Sequence, residues 1–281
     1  MHTLKTLAFA FATAVSFMVP CAMPAHSQDL PPAAPKPKSQ KEVEAIRAVQ
    51  AATDPDAKLA AIDNVLTSFT DTEYKPLLLD MAVEAAEQKG DLALVQVWAE
   101  RDLQSNPHSY VAMLAEANSV AASTKEFDLD KDQKLATAEK NAKGAIEELK
   151  TAQKPMPGIP DAQWEASKKQ SQAQAYQILG IIETKRKNWD AAVADYKKAM
   201  EVAPNPNIEV RMGDAYEKEG KYDEAIAELD KALAEPNLDA RTKNIATSLK
   251  NVAVKMKAAG IKPAAPASDS ATTPQPAEVK K

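Results

Sequence analysis

The chain has almost no cysteine, histidine or glycine. Its 281 residues include one Cys, three His and seven Gly, and aromatics make up 5%. Cys21 sits in an apolar stretch near the N-terminus. Alone, it can form no disulfide within the chain and no thiolate metal site. Zinc centres draw on several His or Cys ligands, so that chemistry is excluded in practice. Ser-His-Asp and Cys-His catalysis both need an imidazole. Outside the first 27 residues only His108 could supply one, and it follows Pro107 at a helix start, where an exposed first-turn residue is expected. The glycines never cluster, and neither GxGxxG nor GxxxxGK occurs, so no phosphate loop is expected. No segment alternates apolar and polar residues with β-branched enrichment, so strands are not expected either. Carboxylates are abundant, at 40 Asp plus Glu, which makes any paired-carboxylate site uninformative.

Basic excess is missing as well. The net charge is −5, with 35 Lys plus Arg against 40 acids. That balance argues against nucleic acid and against anionic membrane surfaces as partners. The N-terminus reads as a secretory signal. Lys5 gives a weakly positive start, Leu7 to Val19 is apolar without charge, and Ala25-His26-Ser27 offers small residues for cleavage near Ser27. The apolar run is shorter than the ~20 residues of a spanning helix. Val19-Pro20 before Cys21 fits a lipobox poorly. Removing residues 1–27 takes away one lysine and no acid, moving the net charge from −5 to −6. A periplasmic or secreted location is expected, with no transmembrane segment left after cleavage and no cysteine in the mature chain. Residues 28–39 form a Pro-rich linker. Residues 260–281 are rich in Pro, Ala, Ser and Thr, a composition that cannot bury enough surface to order itself.

What remains is helical in composition. Ala, Leu, Lys and Glu dominate, and breakers recur at Asp54-Pro55, Lys75-Pro76, Gly90-Asp91, Asn106-Pro107, 155–160, 204–206, Gly220 and Pro236-Asn237. The spacing predicts helices at 40–52, 55–69, 73–89, 91–105, 108–124, 131–151, 161–187, 189–203, 206–219, 222–235 and 238–259. These make five helical hairpins and one further helix. That last helix puts Ile245, Leu249, Val252 and Met256 on one face to close an end, with Arg241, Lys243, Lys250, Lys255 and Lys257 as a polar outside.

A repeat supplies the architecture. Leu179, Gly180, Trp189, Ala192, Tyr196, Ala199 and Pro204 are followed by Met212, Gly213, Tyr216, Gly220, Tyr222, Ala225, Leu229 and Ala232. Gly180 to Gly213, Ala192 to Ala225 and Ala199 to Ala232 are each 33 residues apart. A period of this length marks a solenoid of helix pairs. Residues 173–206 and 206–239 resemble the tetratricopeptide-repeat pattern. Tyr176 stands where the family has tryptophan, Glu183 where it has its first tyrosine, and Pro236 comes one residue early. Gly90, Leu92, Val95, Ala99 and Pro107 match the second half of an earlier repeat, with Leu79 and Val83 in its first half. The resemblance implies an all-α, right-handed α-solenoid of antiparallel helix pairs, about 11 helices with a C-terminal capping helix. On this reading 40–151 holds degenerate hairpins, 152–160 is an irregular loop, and 161–259 holds two regular repeats plus the cap.

The resemblance further implies a binding surface on the concave face. Carried over, its residues are Gln174, Gln177, Ile181 and Thr184 in one repeat and Asn207, Val210, Asp214 and Glu217 in the next. None is a lysine, so a carboxylate clamp of the chaperone-binding kind is not expected. A second candidate is Asp128, Asp130, Asp132 and Glu139, with acids at positions 1, 3, 5 and 12 as in an EF-hand loop. Gln133 replaces the glycine that the loop needs at position 6, and helix-capping aspartates explain the run as well. No metal is favoured there and no cofactor is expected. Trp98 and Trp189 are expected in the core, while Trp164 is either a core residue or an anchor for a partner. The reading that follows is a non-enzymatic scaffold or adaptor of the bacterial cell envelope, binding a protein or peptide on its concave face. The alternative is a calcium- or ligand-responsive module built on Asp128–Glu139. Self-association through the repeat ends is a further structural option.

Overall fold

Most helices begin where a side chain can accept from their free amides. Ser39, Asp54, Asp91, Ser109, Asn205 and Asp239 cap six of them. Proline falls in the first turn of three helices, at Pro55, Pro76 and Pro206, where its missing N–H costs nothing. The computed structural model describes residues 34–261 except Pro157. The expected leader, residues 28–33 of the linker and the tail from 262 lie outside the described residues.

The helices are α1 (Gln40–Ala51), α2 (Pro55–Ser68), α3 (Lys75–Lys89), α4 (Leu92–Ser105), α5 (Tyr110–Ser123), α6 (Lys131–Thr151), α7 (Asp161–Lys185), α8 (Trp189–Val202), α9 (Pro206–Glu219), α10 (Tyr222–Ala234) and α11 (Ala240–Ala258). No strand occurs among the described residues. Every boundary falls within two residues of its expected place. The late starts of α5 and α11 have a cause: Ser109 and Asp239 stay extended and accept from Ala112 N and Thr242 N, so each helix begins after its cap.

Consecutive helices pack antiparallel along the whole chain, as a solenoid of helix pairs requires. Among the odd-numbered helices, α3 packs on α5, α5 on α7 and α9 on α11, and no comparable contact joins the even-numbered ones. The odd helices therefore form the inner layer and the even helices the outer one. Four apolar clusters run in chain order. The first spans α1 to α5 around Ile62, Leu79 and Trp98. The second joins α5, α6 and α7 through Leu114, Leu135, Ile178 and Ile182. The third joins α8 to α11 around Tyr196, Ile208 and Tyr222. The fourth sets Val210 and Leu229 against α11.

Glycine matters where the repeat places it. A Cβ on Gly180 would overlap the ring of Tyr196, and one on Gly213 would lie 2.5 Å from Leu229 Cγ. In both repeats the bare backbone lets a large side chain of the outer helix lie on the inner one. Gly220 closes α9 in the left-handed region at φ 83°. One period earlier Lys187 adopts φ 64° without being glycine, a strained choice for a residue with a Cβ. Among the described residues no helix is long and apolar enough to cross a membrane.

Candidate binding surface

α7 and α9 are inner-layer neighbours, yet their backbones do not pack as closely as α3 on α5, α5 on α7 or α9 on α11. Side chains fill part of that gap: Tyr176 and Ile181 of α7 reach the cluster that holds Ile208 and Met212. Toward the N-terminal end of α9 the gap stays open as a cleft of about 260 Å³. Its walls carry Asn118 of α5, Gln170, Gln174 and Gln177 of α7, and Asn205 before α9. Ala173, Ile178, Ala203 and Ile208 form the apolar remainder. Five carboxamides thus face one space. A carboxamide offers both donors and an acceptor without charge, which is the chemistry that pairs with a peptide main chain; Asn205 contributes donors only, because its Oδ1 caps α9.

The eight expected surface residues have different fates. Gln174 and Gln177 line the cleft. Ile181 is half-buried between the second and third clusters. Thr184 is engaged with its own hairpin. Its Oγ1 donates to Gly180 O at 2.8 Å, so the Tyr196 hydroxyl, 3.2 Å away, donates to it. Asn207 is tied to its cap Asn205, and its side chain lies 3.1 Å from Thr242 Oγ1 of α11. Val210 is 6% exposed and packs beside Leu229, Ala232 and Ala246. Glu217 is also 6% exposed and is met by Lys218 Nζ at 3.0 Å. Burial raises the Asp214 carboxyl, against the pull of nearby Lys218. Gln170, Asn205 and Asn118 were not anticipated. Gln170 was within reach of inference, one helical turn before Gln174. Asn118 was not, because α5 carries no repeat signature.

The EF-hand-like acids do not converge. Asp128 Oδ2 accepts from Lys125 N at 3.1 Å and from Lys134 Nζ at 3.1 Å. Lys134 also meets Asp130 at 2.9 Å. Glu139 lies within α6, where it bridges Arg186 at 2.7 Å and Lys143 at 2.5 Å. Hydrogen bonds from Lys143 and Arg186 hold its carboxyl below the usual range. Among the described residues no three His, Cys, Asp or Glu side chains gather as metal ligands. Asp130 precedes α6 without a capping hydrogen bond, so the expected cap is not made by this side chain. His108 is exposed, with Nδ1 2.8 Å from Glu148 Oε1. Trp98 is buried beneath Arg101, and Trp164 is buried too, with Lys168 over its ring; Trp189 is half-buried.

One stretch of the chain matches a known family. Residues 184–249 fit a family model described as tetratricopeptide repeat. Over that stretch the chain is similar to tetratricopeptide repeats. The TPR fold is in general a protein–protein interaction scaffold. A thermophilic TPR protein from Thermus thermophilus has the same fold, with a TM-score of 0.52 at 18% identity, covering 74% of this chain and 98% of that one. A MamA RS-1 ArsTM double mutant aligns at 15% identity with a TM-score of 0.44, over 69% of this chain and 94% of that one. No curated protein matches the chain.

Proposed function

We propose that the chain is a non-enzymatic adaptor of the bacterial cell envelope that holds a protein or peptide partner along its inner helical layer. The observation that supports this is the carboxamide-lined cleft between α5, α7 and the start of α9. A neutral ring of donors and acceptors recognises backbone amides by hydrogen bonding, and a solenoid presents its concave layer as an extended contact surface. The reading places the partner's main chain against Gln174 and Gln177, with Ile178 and Ile208 below it. The envelope location rests on the expected leader.

A photo-crosslinking residue at position 174, compared with one at the exposed outer position Ala227, tests the surface in cells. Adducts at 174 that vanish with Gln177→Ala, with none at 227, are expected. Equal labelling at both positions would remove the inner layer from consideration. Fractionation of cells expressing the chain with and without residues 1–27 tests the location. Identical distribution of the two forms would rule out an envelope role.

A further inference from the structure

Ser109 is committed to more partners than its hydroxyl can serve as a donor. Its Oγ caps α5 by accepting from Ala112 N at 3.2 Å. The same atom lies 2.7 Å from Asp102 Oδ2 and 3.2 Å from Asp80 Oδ1. A serine hydroxyl carries one hydrogen, so it can donate to one carboxylate. The shorter contact takes it to Asp102. Asp102 belongs to α4, is 0% exposed, and its second oxygen, Oδ1, receives no hydrogen bond from an amide, a hydroxyl or a cation. Asp80 comes from α3 and meets the same hydroxyl, so the two carboxyls face each other across Ser109 Oγ. Asp102 is buried and Asp80 half-buried; two carboxylates brought together out of water repel, and an unserved buried oxygen costs folding free energy. One proton held by Asp80 removes both penalties.

The surroundings offer no substitute for that proton. On α3 itself Glu84 acts on Asp80, and Glu87 acts on Glu84; burial raises both. From α5, Tyr110 is pushed up to about 12 by burial first and then by the charges of Asp80 and Glu84. Arg101 of α4 is turned to Asp63 of α2 at 3.0 Å. Lys58 of α2 acts on Glu84. His108 is engaged by Glu148. Among the described residues no third metal ligand joins the pair.

We infer that Asp80 and Asp102 share one proton, and that the α3–α4–α5 junction is a clasp that holds while protonated and loosens at alkaline pH. Burial, and then the facing Asp102, hold the Asp80 carboxyl far above its ordinary 3.8, at about 8. Unfolded, both aspartates titrate in the usual range near ~4. Between there and about 8 the folded chain keeps a proton that the unfolded chain has lost. Stability attributable to the pair therefore falls as pH rises through that window and levels off above it.

The test is urea unfolding of the full chain at pH 6 to 9, for the wild type, Asp80→Asn and Asp102→Asn. A carboxamide supplies the missing donor permanently. The unfolding constant of the wild type, relative to Asp80→Asn, should rise by up to about tenfold per pH unit between pH 6 and 8. Parallel profiles would overturn the clasp. Should Asp80→Asn fail to fold, carboxyl-carbon NMR of the wild type decides. One aspartate still protonated at pH 6.5 supports the inference, and none protonated there overturns it.

Discussion

The two ends of this solenoid are held by different means. The described buried polar side chains are Glu42, Thr72, Asp102, Ser109, Ser119, Thr124 and Glu217, so six of seven precede residue 125. Glu42 accepts from Thr72 Oγ1 at 2.6 Å and from Lys38 N at 2.5 Å, which pins the last linker residues onto the start of the array. The C-terminal repeats rely instead on shape, with a glycine on the inner helix and a ring or branched chain on the outer one. Hydrogen-bonded cores tie stability to protonation and to exact partners. Cores closed by shape tie it to volume. The N-terminal hairpins should therefore be sensitive to chemistry, and the C-terminal repeats to added or removed methyl groups.

The largest expected effects come from emptying either core. Leu79→Ala and Leu229→Ala should each cost about 2–5 kcal/mol. Urea melts followed by tryptophan fluorescence would show whether one transition shifts or two separate. A single transition in both variants would show that the unlike halves unfold together. Gly180→Ala should cost about 1–3 kcal/mol by driving a methyl into Tyr196. With Tyr196→Ala added, the loss should fall short of the sum, because the clash has gone. Strict additivity would break the claim that shape closes this repeat.

Caps compare the halves directly. Asn205→Ala should cost about 0.5–2 kcal/mol, the ordinary loss of a cap. Ser109→Ala should cost more, because it also removes the donor to Asp102. Equal losses in thermal melts would argue that the buried polar network adds nothing. The smallest effect is expected at Lys187. Lys187→Gly relieves left-handed strain of about 1 kcal/mol, but it gives up the contact with Glu126 at 2.6 Å. A slight rise in Tm is the expected outcome, and a fall would show that the contact outweighs the strain.

Much of the fold was legible because its causes are local. Asp54-Pro55, Gly90-Asp91 and Gly220 stop and start helices by backbone chemistry, and the 33-residue period marks where Gly180 meets Tyr196. The cleft was half legible. Gln174 and Gln177 follow from the repeat, whereas Asn118 reaches the cleft from a hairpin without the pattern. Val210 shows the limit of carrying positions over: at this last repeat α10 and α11 close over its side chain. Asp80 and Asp102 are 22 residues apart, on different helices, among 40 acids. One signal was there to use. Asp102 falls on the same helical stripe as Val95, Trp98 and Ala99, where a charge has no business unless something shares it.

The irregular segment at 152–160 looks like a seam in the primary structure. The packing of α7 says otherwise. Ala175, Ile178, Leu179 and Ile182 belong with α5 and α6, while Tyr176 and Ile181 on the same helix also reach the cluster of α8 and α9. One rod serves as a wall for the rooms on both sides. A protease that nicks the chain between 152 and 160 would therefore divide the polypeptide without dividing the body, and the two pieces would elute as one.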